Sequence, residues 1–357
     1  MAKNLKKMIM RNKWFITITA LVLLVVVACE NEKWEFPDYK YTAVYFSYQT
    51  PVKTLELGDD DMYDNSKDNE HVIQIFATMG GVYENKQDRI IQVEIDNSLC
   101  DSLYFDSETG APVLPLPSSY YQLPAKMEIV IPKGKLMGAI EFKLTDAFFQ
   151  DSLALNRNYV LPLVMKSVLG ADSILRGKSE KANPDRRIAS DWITVPKDYI
   201  LFAVKYINPW HAFYLRRGMT VVKGKNGNSN LDTTMIYRAK YVELNEVCQA
   251  ISSSYNSVVI NLITKAADGK TDLPFTLNLT FNDNNECTIT HPANATYTIT
   301  GTGRFVKGGD EWGGIRRNVM YLNYNIEFSN ATYSFTDTLV VRDRGIKFET
   351  FSAVVKQ

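Results

Sequence analysis

Residues 274–282 alternate without a break: Phe275, Leu277, Leu279 and Phe281 fall on one side of an extended chain, and Thr276, Asn278, Thr280 and Asn282 on the other. Successive side chains of a strand point to opposite faces, so this pattern buries one face and leaves the other in water. Leu322, Tyr324, Ile326 and Phe328 repeat it. Asp283-Asn284-Asn285 turns the first strand into residues 286–290, and Ser329-Asn330-Ala331 turns the second into residues 333–342, two hairpin signals. Long consecutive hairpins predict an up-and-down sheet or a β-barrel, lipocalin-like in kind, rather than a second sandwich.

The first half carries shorter strands. Residues 43–48 are aromatic and β-branched, and residues 71–78 and 89–96 are separated by Gly80-Gly81. Met127, Ile129 and Ile131 alternate up to Pro132, and residues 139–144 return after Lys133-Gly134-Lys135. Residues 146–155 read as one short helix, and residues 159–166 as a strand that Pro162 places at an edge or bulge. Short strands at regular spacing predict a β-sandwich, so the chain is all-β. The polar stretch 176–197, with Pro184 and Pro196, reads as a linker. It divides a sandwich module at 41–175 from a barrel-like module at 198–357, a size suited to two domains.

The N-terminus is of another kind. Lys3, Lys6, Lys7, Arg11 and Lys13 precede an apolar run at 14–27, which ends in Ala28-Cys29. The run is short for a membrane span, which takes roughly 20 residues, and matches a secretory h-region with a small residue at the cleavage position. Cys29 after Ala28 resembles a bacterial lipobox, with Val26 in place of the usual Leu. The expectation is a signal peptide at 1–28, a palmitate-bearing lipid anchor on Cys29 and a tether at 29–40, with an uncleaved signal anchor as the alternative. Glu30, Glu32 and Glu35 fit either an outer-face export signal or a solvated tether.

The whole chain holds 40 basic and 40 acidic residues; without the five basic residues of the leader, 35 face 40. That balance points away from nucleic acid. Cys100, Cys248 and Cys287 remain after Cys29, so at most one disulfide forms; a Cys248–Cys287 bridge is conceivable, but buried free thiols are the expectation. No CxxC occurs, and His71, His211 and His291 form no HExxH or HxH pattern, so neither a metal nor a cofactor is expected. There is no GxSxG elbow and no phosphate loop. Residues 59–70 are rich in acids but carry Asp64 where an EF-hand loop needs glycine. Gly301-Thr302-Gly303 suits a bulge or a close backbone approach. A glycosidase needs two carboxylates at a set separation, and nothing in the sequence marks such a pair. The Asn-x-Thr sequons at Asn278, Asn294 and Asn330 read as chance occurrences.

Several segments resemble a family. They include Glu56-Leu57-Gly58-Asp59-Asp60, Asp68-Asn69-Glu70-His71, Gly80-Gly81-Val82-Tyr83-Glu84-Asn85 and Leu116-Pro117-Ser118-Ser119-Tyr120-Tyr121 in the first module. The second module adds Asn208-Pro209-Trp210-His211-Ala212-Phe213-Tyr214 and Asp337-Thr338-Leu339-Val340-Val341-Arg342-Asp343. Together they resemble the two-module surface glycan-binding lipoproteins of Bacteroidota polysaccharide utilisation, often compared with SusE and SusF. The resemblance implies an immunoglobulin-like first module and a β-rich second one. It also implies a place on the outer membrane, facing outwards, beside a barrel transporter with its lid lipoprotein.

A sugar site needs an exposed aromatic platform with a rim of planar polar groups. Trp312, between Gly308-Gly309-Asp310-Glu311 and Gly313-Gly314-Ile315-Arg316-Arg317, fits that need, with Asp310 and Arg316 as rim; the alternative is a loop Trp folded back. Trp210 with Tyr214 is the second candidate, against a core plug. Arg342-Asp343-Arg344 reads as an internal salt-bridge knot, and the first module, without a Trp platform, as a spacer. Trp34 near the tether and Trp192 in the linker are weaker candidates. The expected function is non-catalytic binding of a polysaccharide or oligosaccharide in support of an importer. An assembly subunit without sugar binding and an accessory glycoside hydrolase stay open as alternatives.

Overall fold

The computed structural model describes residues 38–60, 62–106 and 110–356. The expected signal peptide at 1–28, Cys29 and Trp34 lie outside the described residues. The first module is a sandwich of two sheets. One contains β1 (Ala43–Tyr45), β3 (Val72–Gly80), β7 (Tyr121–Gln122), β9 (Met137–Leu144) and β11 (Ser173–Ile174), in the order β11-β1-β3-β9-β7. The other is built on β2 (Pro51–Glu56), β4 (Arg89–Ile95), β6 (Leu114–Pro115), β8 (Glu128–Ile131), β10 (Tyr159–Leu169) and β12 (Tyr199–Ile207), running β2-β12-β10-β4-β8 with β6 beside β10. Their facing side chains, Val44, Phe46, Ile73, Ile75, Ile91, Ile129, Phe142 and Leu161 among them, form the main core.

β10 and β12 read as nearly continuous apolar runs because both of their faces are covered. On the outer face Val160, Val164, Leu201 and Ala203 pack under Leu99, Leu103, Phe105 and Phe351. The chain end supplies this cover: β22 (Glu349–Thr350) pairs with β2, and β23 (Ala353–Val355) with β5 (Leu103–Phe105). Pro162 sits in this central strand and not at a free edge. It lies where the partner on one side changes from β6 at Tyr159–Val160 to β4 at Leu163, a break in the ladder where a missing N–H does least harm.

The module boundary differs from the expectation at two points. Strand β12, placed by sequence in the second module, is antiparallel to β10 and parallel to β2 inside the sandwich sheet. The stretch 176–197 is an ordered loop bound to the sandwich. Asp198, fully buried, takes Arg176 at 3.4 Å and Arg186 at 3.2 Å, and Arg187 Nη1 donates to the Leu99 and Asp101 carbonyls at 3.1 and 2.6 Å. Trp192 packs here with Nε1 donating to the Asp185 carbonyl at 2.7 Å. Polarity marked a linker because these side chains satisfy one another locally. The chain passes into the second module only at Asn208-Pro209, directly after β12.

The second module comprises β13 (Ala212–Gly224), β14 (Thr233–Tyr237), β15 (Glu246–Ser252), β16 (Ser257–Lys265), β17 (Asp272–Phe281), β18 (Glu286–Thr290), β19 (Thr298–Trp312), β20 (Ile315–Glu327) and β21 (Ala331–Asp343). Each pairs antiparallel with its neighbour, β14 and β15 share one edge of β13, and β21 closes back on β13, giving an eight-stranded barrel. Its interior is filled by Leu277, Leu279, Phe275, Ile289, Leu322, Tyr324, Tyr333 and Phe335. The alternation read at residues 274–282 places those odd-numbered positions inside. Gly301 faces inward opposite Tyr324, and a Cβ there would stand 2.4 Å from the Tyr324 Cβ, the close approach that the Gly-Thr-Gly stretch suits. Cys100, Cys248 and Cys287 are free and buried, and burial pushes each thiol up to about 12.

Arg344 ties the two modules together. Its guanidinium donates to the carbonyls of Leu57 (3.0 Å) and Asp59 (3.2 Å) in the loop after β2, and to those of Asn208 (2.9 Å) and His211 (2.6 Å) at the barrel entrance. Glu56 stands 3.5 Å away. The Arg342-Asp343-Arg344 segment is thus an internal knot, though its partners are mostly carbonyls.

Candidate functional site

Neither tryptophan selected from the sequence is an open platform. Trp210 is 8% exposed and lies flat on Phe281, centroids 4.1 Å apart at 6°, so it plugs the end of the barrel core. Tyr214 is fully buried and its hydroxyl donates to the Trp210 carbonyl at 2.7 Å. Burial corrects both assignments: no ligand reaches either ring.

Trp312 lies near the tip of the long β19–β20 hairpin. A register shift between Val306 and Asp310 lets this tip fold back over the outside of the barrel. There the indole joins Leu215, Val319 and Val340, outward-facing side chains that make a small second core. Its Nε1 donates to the Val341 carbonyl at 3.0 Å, and the Arg317 guanidinium covers the ring at 4.7 Å. Asp310 is paired with Arg217, and Arg316 Nε donates to the Gly308 carbonyl at 2.9 Å. The glycine-flanked loop is therefore latched to the wall, and its charges hold the latch.

A broad concavity lies beside the latch. A groove of about 910 Å³ runs over the outer face of β17–β21. Its floor is one row of register partners: Thr280, Thr288, Thr302, Asn323 and Thr336, all exposed. A second row, Glu286, Arg304, Tyr321 and Thr338, stands beside it. The Tyr321 hydroxyl donates to the Gly309 carbonyl at 3.0 Å, which joins this row to the latched hairpin, and Arg304 lies 5.5 Å from the Tyr321 ring centroid. Strands in a ladder stand about 4.8 Å apart, so the rows present hydroxyls and amides at near-regular intervals. The wall is rich in hydrogen-bonding groups.

The groove borders a sealed charge. Asp337 lies beneath it on the inner face, bound to Arg216 and to the Tyr324 hydroxyl. Glu286 is the carboxylate on the groove's solvent side. Sequence reasoning passed over this face because every residue in it is the polar half of an ordinary strand alternation. The signal was present in the Thr and Asn of residues 276–282 and 300–302, but only the register aligns them.

A crystal structure of a Bacteroides ovatus protein of unknown function is similar over nearly the whole chain. It is 38% identical, with 90% of this chain and 100% of that one covered and a TM-score of 0.81. The chain belongs to that protein's family. Within it, residues 209–345 match a domain of unknown function (DUF5627), and residues 38–172 match a model described as "-like, N-terminal domain". The two matches fall on this chain's barrel and sandwich, and 209 coincides with the crossing after β12. Fainter likeness extends to another Bacteroides ovatus protein of unknown function, 12% identical over 85% of this chain and 94% of that one, TM-score 0.39. It extends also to an auxiliary nutrient binding protein from Bacteroides thetaiotaomicron, 12% identical over 81% of this chain and 90% of that one, TM-score 0.35. Likeness that faint carries no argument about the family's function. The search among curated proteins found no match.

Proposed function

We propose that this protein is a lipid-anchored, outward-facing outer-membrane protein that binds a polysaccharide or oligosaccharide without cleaving it. The observation that carries the reading is the groove of Thr, Asn, Glu and Arg side chains across β17–β21. A glycan chain offers many hydroxyls, each of which can pair with a hydroxyl or amide of the rows. A single such bond contributes only about 0.5–1.5 kcal/mol, so a long shallow site that makes many of them suits a polymer better than a small molecule.

The same geometry supports binding without cleavage. Glycoside hydrolysis takes two carboxylates facing the scissile bond, about 5–9.5 Å apart. The groove offers Glu286 to solvent, while Asp337 is turned inward and held by Arg216 and Tyr324. Binding would raise the local glycan concentration at the membrane, next to a barrel transporter with its lid lipoprotein as partner.

The test is retardation of the full chain, detergent-solubilised, in native gels cast with a panel of plant and host polysaccharides. An Arg304→Ala/Asn323→Ala variant runs beside it. Retardation by one polysaccharide, lost in the variant at unchanged Tm, supports the reading. No retardation by any member of the panel sinks it and favours the assembly subunit. Release of reducing ends would favour the hydrolase.

A further inference from the structure

We propose that the cleft between the sandwich and the barrel, walled by Phe149, Tyr206 and Tyr255, is a second carbohydrate site that takes a single neutral sugar ring. It uses the ligand class of the barrel groove but none of its lining residues.

The cleft holds about 160 Å³, the space of about five waters at their share of the liquid, which suits one ring and not a chain. Three aromatic rings from both modules form its wall. Phe149 comes from the short helix Asp146–Gln150, Tyr206 from β12 and Tyr255 from the tip of the β15–β16 hairpin. Phe149 lies 5.2 Å from Tyr206 and 5.9 Å from Tyr255 between centroids. Phe149 and Tyr206, 2% and 1% exposed, close the back of the cleft, and Tyr255, 47% exposed, is the ring a ligand can reach. That is the platform chemistry that Trp312 and Trp210 fail to supply.

Polar groups free to bind stand around this platform. The Gln150 amide, the Ser152 hydroxyl and the Tyr255 hydroxyl line or cap the cleft, and none has a hydrogen-bond partner in the described structure. No charged side chain lines it, so a neutral ligand is favoured over an acidic one.

The platform is also pre-set. Nδ2 of the fully buried Asn208 donates to the carbonyls of Ser254 (2.9 Å) and Ser257 (2.7 Å), which pins the hairpin tip. The Tyr206 hydroxyl donates to the Phe149 carbonyl at 2.7 Å, which holds the opposite wall. A rigid site loses little entropy on binding. The sandwich is then part of a site and not only a spacer.

The experiment is saturation-transfer NMR on the full chain with methyl pyranosides of glucose, galactose, mannose, xylose and N-acetylglucosamine, and with methyl glucuronide as the charged control. Transfer to the ring protons of at least one neutral glycoside is expected. Tyr255→Ala should cut it tenfold or more, Tyr255→Phe should keep most of it, and the Arg304→Ala/Asn323→Ala variant should leave it unchanged. Tyr255 has no hydrogen-bond partner among the described residues but packs on Phe149 and Tyr206, so Tyr255→Phe should keep the wild-type Tm, while Tyr255→Ala should lower it and still unfold cooperatively. The inference is overturned if no neutral glycoside receives saturation, if Tyr255→Ala has no effect, or if the glucuronide binds as well. Loss of gel retardation in the groove variant with this signal intact separates the two sites, and a failure of either leaves the other standing on its own readout.

Discussion

Arg216 donates through Nε to Oδ2 of Asp337 at 3.1 Å inside the barrel, where their side chains are 3% and 0% exposed. The pair is fully framed: Tyr324 donates to the same oxygen at 2.7 Å, Tyr237 donates to the other, and Glu246 takes Arg216 Nη1 at 3.2 Å. Burial alone would lower the Arg216 pKa, but Asp337, with Tyr324, Tyr237 and Glu246 adding, outweighs that and holds it above its ordinary value. Asp337→Ala would strand a buried guanidinium, so a loss of about 3–5 kcal/mol is expected in chemical denaturation. The double change Arg216→Met/Asp337→Leu should lose less than Asp337→Ala alone, because it removes both charges together.

The module junction has a distinctive pH response. Burial, followed by a hydrogen bond with Asp60, pushes Glu56 up to about 8, against the pull of Arg344. Its contribution to stability is full below about 4.5 and is lost as pH rises towards 8, by up to about 1.4 kcal/mol per unit. His211 has the opposite sense. Burial, with Arg344 and Lys205 adding, pushes it down to about 4, so its contribution is full above 6.5 and falls as pH drops towards 4. The two slopes oppose each other between pH 4.5 and 6.5, and Glu56 acts alone from 6.5 to 8. Denaturation midpoints of Glu56→Gln should therefore decline less than wild type between pH 6.5 and 8. Those of His211→Asn should decline more between pH 4.5 and 6.5.

The two tryptophans should separate by stability and not by binding. Trp210→Ala opens a hole against Phe281 and should lose about 3–5 kcal/mol. Trp312→Ala forfeits the bond to Val341 and the Arg317 contact, about 1–3 kcal/mol together. Native gels of Trp312→Ala should still show retardation, because this ring does not line the groove.

Gly301→Ala tests the packing of β19 on β20. The new Cβ would meet the Tyr324 Cβ at 2.4 Å and the Asn323 carbonyl oxygen at 2.5 Å, so backbone must shift. A loss of about 1–3 kcal/mol in thermal or chemical denaturation is expected. Gly134→Ala, whose Cβ meets nothing within 4 Å but whose φ is +77°, separates collision from backbone strain.

Much of the architecture was legible from local pattern. Period-two alternation at residues 274–282 and 322–328, with polar turns between them, defined inward and outward positions that the barrel keeps. That works because a strand's two faces are set by geometry one residue at a time, whichever neighbour it finds. Strand membership was not legible in the same way. Strand β12 reads like any apolar run, and only its pairing with β2 and β10, more than a hundred and about forty residues away, assigns it to the sandwich. Exposure of aromatic residues was hidden for the same reason. Trp210 and Trp312 had the right neighbours in sequence, but Phe281 and Val341 cover them from distant strands, while Tyr255, in a serine-rich turn, is left open by the module contact. The chain by itself determined which residues could face a core and where it must turn. Closure of the barrel, the rows of its outer groove and the junction cleft were decided by tertiary structure, because each depends on register between strands that no local pattern specifies.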